Sequence, residues 1–253
     1  LILFASGKNR LGPPMHTNFR IKSGGESVYL TDPGGNLVDY SPSKAIPPDH
    51  SLGRQPDATG EWVYFATATP GAANTTTGFL GITAPPIFSH APGFHAEPFE
   101  LQIQTADVEA TVYYTLDGSL HTPQNLQGSA YAIKNIYPHG ELIFRTNWTH
   151  EYAEPISIST PEPTPEDLAL ITLDVCHYPD TPFVPPQSPF KGMIVRATAV
   201  KPGFLPSEVR SASFMIHTNL HARYSLPIVS LIADPRDLFD YETGIFVPGK
   251  RFS

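Results

Sequence analysis

Thr111-Val112-Tyr113-Tyr114-Thr115-Leu116-Asp117-Gly118-Ser119 is the stretch that decides the fold. Six residues, mostly β-branched or aromatic, run into Asp-Gly. That pair turns a chain because glycine accepts positive φ and the aspartate carboxylate bonds the backbone just beyond it. The same pattern recurs on both sides. Phe99-Glu100-Leu101-Gln102-Ile103-Gln104 alternates apolar and polar residues, and Ile194–Val200 and Val209–Ile216 alternate again. A period of two places one set of side chains on a buried face and the other in water.

Strands of this length, spaced by Asp-Gly and Pro-Gly turns, predict a sandwich of the immunoglobulin or fibronectin kind. Across the 253 residues, 28 prolines and 19 glycines leave room for many short strands but few long helices, so the expected class is all-β. Upstream, Leu1–Ala5, Ser27–Thr31, Asn36–Asp39 and Trp62–Ala66 read as short strands, with a hairpin turn at Asp32-Pro33-Gly34-Gly35-Asn36. The expected organisation is two β-sandwich modules in tandem with a short C-terminal strand-helix extension. Residues 1–77 form the first module, and a linker is expected at 78–85, between the small, polar run Ala72–Gly78 and Ala84-Pro85-Pro86. The second module covers 86–216 and carries a long insertion at about 122–192. Residues 217–253 begin a further domain. Within the insertion, Pro155–Ser159 is strand-like, Thr160–Pro165 and Pro179–Pro189 are proline-rich, and Asp167–Val175 fits either a strand or a short helix. In the tail, Pro227–Ala233 reads as a strand. Asp234-Pro235-Arg236-Asp237 then sets an N-cap acid, a proline at the first helical position and an acid in the first turn, and Gly244 is expected to stop the helix. A strand starting abruptly at Leu1 leaves an unprotected edge, so a further segment is expected before it.

The formal net charge is −8 with 16 basic residues, too few to neutralise phosphates, and nucleic acid is not expected as a partner. No run approaches the ~18 apolar residues that cross a bilayer as a helix. Cys176 is the sole cysteine, which excludes an internal disulfide framework or a paired-cysteine metal site. Neither a G-x-G-x-x-G nor a G-x-x-x-x-G-K-[ST] phosphate loop occurs, and no cofactor is expected.

Several groups invite chemistry. His217 and His221 have the spacing of a helical ligand pair, yet they follow a strand and lack a recognisable third ligand, so packing is the expected role. Asp234, Asp237 and Asp240 could line one helix face around a hard cation, but capping accounts for two of them. Asp117 and Ser119 suggest an acid and a nucleophile, with His121 close by. A turn is the expected reading, and no catalytic or metal residue is assigned. Asn74-Thr75-Thr76 and Asn147-Trp148-Thr149 match the glycosylation sequon, a tripeptide frequent by chance. Trp148, Tyr131, Tyr137 and Tyr152 fall in or beside the insertion, where aromatic rings could stack on sugar faces.

Longer motifs add resemblances. Leu52-Gly53-Arg54-Gln55-Pro56-Asp57, followed by Gly60-Glu61-Trp62 and Thr69-Pro70-Gly71-Ala72-Ala73-Asn74, resembles the closing half of bacterial lamin-tail domains, without that family's opening strands. Tyr113–Ser119 with Arg196–Ser207 is similar to the small sandwich appended to chitobiases and hexosaminidases, except that His121 replaces its usual proline. Ser225–Leu231, Asp234-Pro235, Leu238-Phe239-Asp240 and Gly244–Val247 resemble the start of the kinase-like domain of spore-coat protein H relatives. The nucleotide and metal residues of that family lie beyond the matching part, so none transfers to this chain. These resemblances imply a non-catalytic structural or interaction region of a larger secreted or cell-surface bacterial protein. It would present a downstream kinase-like domain through an intramolecular contact, or mediate adhesion to a cell-surface protein or polysaccharide. The alternative they imply is a carbohydrate-binding accessory module.

Overall fold

The computed structural model describes residues 2–134, 140–162, 190–219, 224, 226–247 and 249–250. The chain is nearly all β and divides into two units, one of residues 1–82 with 202–205, the other of residues 83–201 with 206–253.

In the first unit the strands pair two by two. β1 (Leu3–Phe4) runs parallel to β2 (Met15–His16), while β3 (Val28–Thr31) pairs with β4 (Leu37–Ser41) and β5 (Ser51–Gln55) with β6 (Glu61–Phe65), both antiparallel. The β3–β4 turn forms as its sequence predicts: Asp32 accepts the Asn36 backbone N–H and side-chain amide, each at 2.8 Å, and Gly35 has φ +85°. At the β5–β6 turn a Cβ on Gly60 would collide with the Gln55 carbonyl, so only glycine fits. Arg54 joins the two hairpins, donating to Asp39 at 2.6 Å and lying over the Trp62 ring at 4.7 Å. Val63, Tyr64 and Phe65 supply the buried apolar side chains. Phe79 exchanges backbone bonds with Tyr64 in both directions, and Gly78 N–H donates to Gln55 Oε1, so the chain entering the expected linker is bonded to this unit.

The second unit is a sandwich. Its elements in chain order are β7 (Ile87–Phe88), β8 (Gly93–His95), β9 (Phe99–Leu101), β10 (Ile103–Gln104), β11 (Thr111–Thr115), β12 (Ser129–Lys134), β13 (Leu142–Asn147), β14 (His150–Glu151), β15 (Ile156–Ile158), β16 (Met193–Val200), β17 (Arg210–Ile216) and helix α1 (Pro235–Phe239). Five strands form one sheet in the order β14-β11-β16-β17-β8, with β8 parallel to β17 and the other pairs antiparallel. Against it stand β9 with β15 and β10 with β7. The run Phe99–Gln104, expected as one strand, breaks at Gln102, whose two backbone groups bond Ser89 instead. Its alternation survives the break: Leu101 and Ile103 are buried and Gln102 is exposed. Leu101, Ile103, Ile156 and Ile158 meet Val112, Val195, Ala197, Ala212, Phe214 and Ile216 in one core. Ile156 and Ile158 come from the stretch expected as an insertion, so part of that stretch belongs to the sandwich itself. Asp167–Val175, the second proline-rich run and Cys176 lie outside the described residues.

Two expectations for the tail change. Pro227–Ala233 forms no strand. It lies beside β17, held through Ser230 Oγ to Ser213 Oγ at 2.7 Å, with Leu226, Val229 and Leu231 exposed. Its apolar pattern suits a strand, but it lies beside the sheet without a ladder partner among the described residues. Helix α1 begins as predicted, with Asp234 accepting the Arg236 backbone N–H at 2.9 Å and Pro235 at the first turn. It ends at Phe239 rather than running on to Gly244. Asp240 Oδ1 takes the N–H groups of Glu242 and Thr243, each at 2.9 Å, offering the backbone a turn in place of another helical turn.

Candidate functional site

The region between β11 and β15 holds most of the chemistry. Strands β12 and β13 pair over six positions, and because successive side chains alternate faces, the hairpin has two unlike sides. One side presents Ala130, Ala132, Lys134, Leu142, Phe144 and Thr146. The other presents the facing pairs Ser129 with Asn147, Tyr131 with Arg145 and Ile133 with Ile143. This second side is buried: Tyr131 is 7 % exposed and Ile133 2 %.

The aromatic residues singled out from the sequence therefore part company. Tyr131 lies on the buried face. Tyr152 joins the sandwich, its hydroxyl accepting the Ile103 N–H at 3.1 Å and its ring meeting Tyr114 edge-on at 6.3 Å. Trp148, just past β13, stays 48 % exposed and lies over Gly128. A Cβ there would come within 3.1 Å of the indole and 2.6 Å of Thr146 Cγ2, and Gly128 has φ +74°, so glycine is required on two counts. Tyr137 lies outside the described residues.

Against the buried face of the hairpin sits a polar layer. Asp117 accepts the backbone N–H and the hydroxyl of Ser119, closing the Asp-Gly turn. Ser119 is fully buried, its carbonyl accepts the Thr115 hydroxyl at 2.9 Å, and Arg196 Nη1 donates to the Gly118 carbonyl at 2.7 Å. The hydroxyl that could have been a nucleophile is thus committed to its own turn. Asp234, 5 % exposed, ties the tail to this layer. Its Oδ1 accepts from the Arg236 backbone and from Asn147 Nδ2 at 3.1 Å, and its Oδ2 accepts from the Leu120 N–H at 3.3 Å and Arg236 Nη2 at 3.4 Å. A second tie follows: Asp240 Oδ2 accepts the Ala132 N–H at 3.3 Å, and Tyr241 N–H donates to Ala132 O at 2.7 Å. Asn147 is 1 % exposed and its side chain is bonded, which removes the sequon's acceptor amide from the surface.

Electrostatics follow from the burial. His121, 7 % exposed, is held down to about 4, first by desolvation and then by the Arg196 charge. Tyr131 is pushed up to about 12 by burial, with Arg145 and Arg236 opposing and Asp117 and Asp234 adding to the rise. At Asp240 burial acts upward but is outweighed by the bonds from Thr243, Glu242 and Ala132, so its carboxyl titrates below the usual range.

Other candidates resolve locally. His217 Nδ1 accepts the Asn219 N–H at 3.0 Å, and its ring stands edge-on to Phe190. His221 lies outside the described residues. Among the described residues no three His, Cys, Asp or Glu side chains are placed to hold a metal ion, and no helix is long and apolar enough to cross a membrane. Sequence reasoning singled out neither Arg145 nor Arg196. Nothing in their spacing marks them, because strand pairing over long separations brings them beside this layer.

Residues 101–214 match the family model described as Fn3 associated, and this stretch is an immunoglobulin- or fibronectin-like module. The match runs from β9 to β17 and so takes in strands of both sheets. A module of this family suggests an accessory role for residues 101–214. No curated protein and no solved structure matches the chain.

Proposed function

We propose that this chain is a structural and interaction region of a larger secreted or cell-surface bacterial protein, and that its second unit holds the beginning of a downstream kinase-like domain. The observation that carries the reading is the fastening of the tail to the sandwich. Asp234 joins α1 to the Asn147 side chain and the Leu120 backbone, and Asp240 and Tyr241 join the following turn to β12. The tail is the part that resembles the opening of the spore-coat protein H kinase-like domain. An accessory module that buries a carboxylate to secure such a segment fixes its origin relative to the sandwich. No catalytic residue is assigned to the chain in this reading. Limited proteolysis tests it: Asp234→Ala exposes residues 226–250 to cleavage while the sandwich survives. Equal resistance of the variant and the parent chain contradicts it.

A second reading, a carbohydrate-binding accessory, is favoured by one observation: Trp148 is exposed and backed by Gly128. Aromatic faces stack on sugars where an apolar ring is held ready. Trp148→Ala then abolishes retention on a cell-wall polysaccharide panel without shifting the unfolding midpoint. Uniform silence from the folded parent chain eliminates this reading.

A further inference from the structure

We propose that the polar layer between the β12–β13 hairpin and the loop after β11 is a binding site for a monocarboxylate, gripped by Arg145 through Nε and Nη2. Both nitrogens are buried and make no hydrogen bond among the described residues. Their N–H groups lie parallel in the guanidinium plane and form the edge that receives two carboxylate oxygens side by side. A desolvated guanidinium edge without an acceptor is costly, and folds that keep one normally supply its partner.

Arg145 is not alone. Ser129 Oγ, Arg196 Nε and His121 Nδ1 are also buried without a partner, so five of the eight such atoms among the described residues belong to this one layer. His121 is more than nine-tenths buried. Contacts tie these groups to one region: Ser129 pairs with Asn147 and Tyr131 with Arg145 across the hairpin, Arg196 bonds the Gly118 carbonyl, and Asn147 and Leu120 both bond Asp234. Three of the five atoms are arginine N–H donors, so the shortage is of acceptors. Asp234 does not relieve it, because both its oxygens already receive two bonds.

Charge selects the class of anion. Arg145 and Arg236 act on Tyr131 together with Asp117 and Asp234, Arg196 acts on His121, and His121 is neutral near pH 7, so the charged groups around these two side chains leave one positive charge. A monocarboxylate cancels it, whereas a phosphate dianion overshoots. Tyr131, directly across from Arg145, keeps its proton at neutral pH and is a further donor on the same face.

The test uses the full 253-residue chain. Its unfolding midpoint is followed with increasing sodium acetate against sodium chloride at constant ionic strength and pH 7.5, with inorganic phosphate in parallel. The Arg145 Nε–H resonance is followed in the same titration. The expected result is a saturable rise with acetate and a shift of that resonance with the same midpoint. Affinity should fall about tenfold in Arg145→Lys, which keeps the charge but loses the fork, and the effect should vanish in Arg145→Gln. If Arg145→Gln does not fold, Arg145→Lys and the parent resonance decide. No saturable response, an undiminished response in Arg145→Lys, or phosphate acting as strongly as acetate overturns the proposal.

Discussion

Burial keeps His121 neutral, and that has a pH consequence with a definite sign. Its folded value of about 4 lies below the 6.5 of an exposed imidazole, so between these values the unfolded chain binds the extra proton. The stability contributed by neutral His121 is complete above pH 6.5 and is lost as pH falls toward 4, at most about 3 kcal/mol. Urea midpoints at pH 7.5, 5.5 and 4.5 should therefore fall more steeply for the parent chain than for His121→Gln. The residue scale was partly legible from sequence. Asp117-Gly118-Ser119 was readable as a turn, because aspartate and glycine act on their own backbone, and Asp234 was readable as a cap for the same reason. Tyr131 and Trp148 looked alike in sequence. Only the register Tyr131 opposite Arg145 buries one, and only the end of β13 leaves the other outside.

At the scale of elements, long alternation was the reliable signal. β17 keeps a strict period of two, and β11 and β16 follow it on the core face but also bury Thr115 and Thr198 on the other, where their hydroxyls bond the Ser119 and Ser207 carbonyls. Phe214, fully buried where β17 meets β9, shows what the alternation is worth: Phe214→Ala should cost about 3–5 kcal/mol in chemical denaturation, as large-to-small changes in closed cores do. Pro227–Ala233 shows the limit of the signal, because apolar alternation identifies a residue set that suits a strand but does not provide a neighbour to bond. The β12–β13 hairpin was missed for the opposite reason. Ser129–Lys134 alternates, but no Asp-Gly or Asn-Gly follows it to announce a return strand, and its polar inner face obscures the pattern. The early stop of α1 depended on Asp240 turning to the backbone ahead of it, a choice that composition does not fix.

For the whole molecule, composition was enough to indicate an all-β chain, and the chain length together with the linker stretch suggested more than one unit. What it left open was the placement of the tail. The bonds from Asp234, Asp240 and Tyr241 reach residues 87 to 114 positions away, and such pairings follow from the folded sandwich rather than from any local pattern. The account therefore turns on whether the tail and the sandwich open together. Native-state hydrogen exchange on the full chain is the direct measurement. If the tail is part of the second unit, the Ala132 and Tyr241 amides exchange with the same opening free energy as the amides of β16 and β17. Rapid exchange of those two amides while β16 and β17 stay protected would contradict the account, since the tail would then be a loose end and not the fixed origin of a further domain.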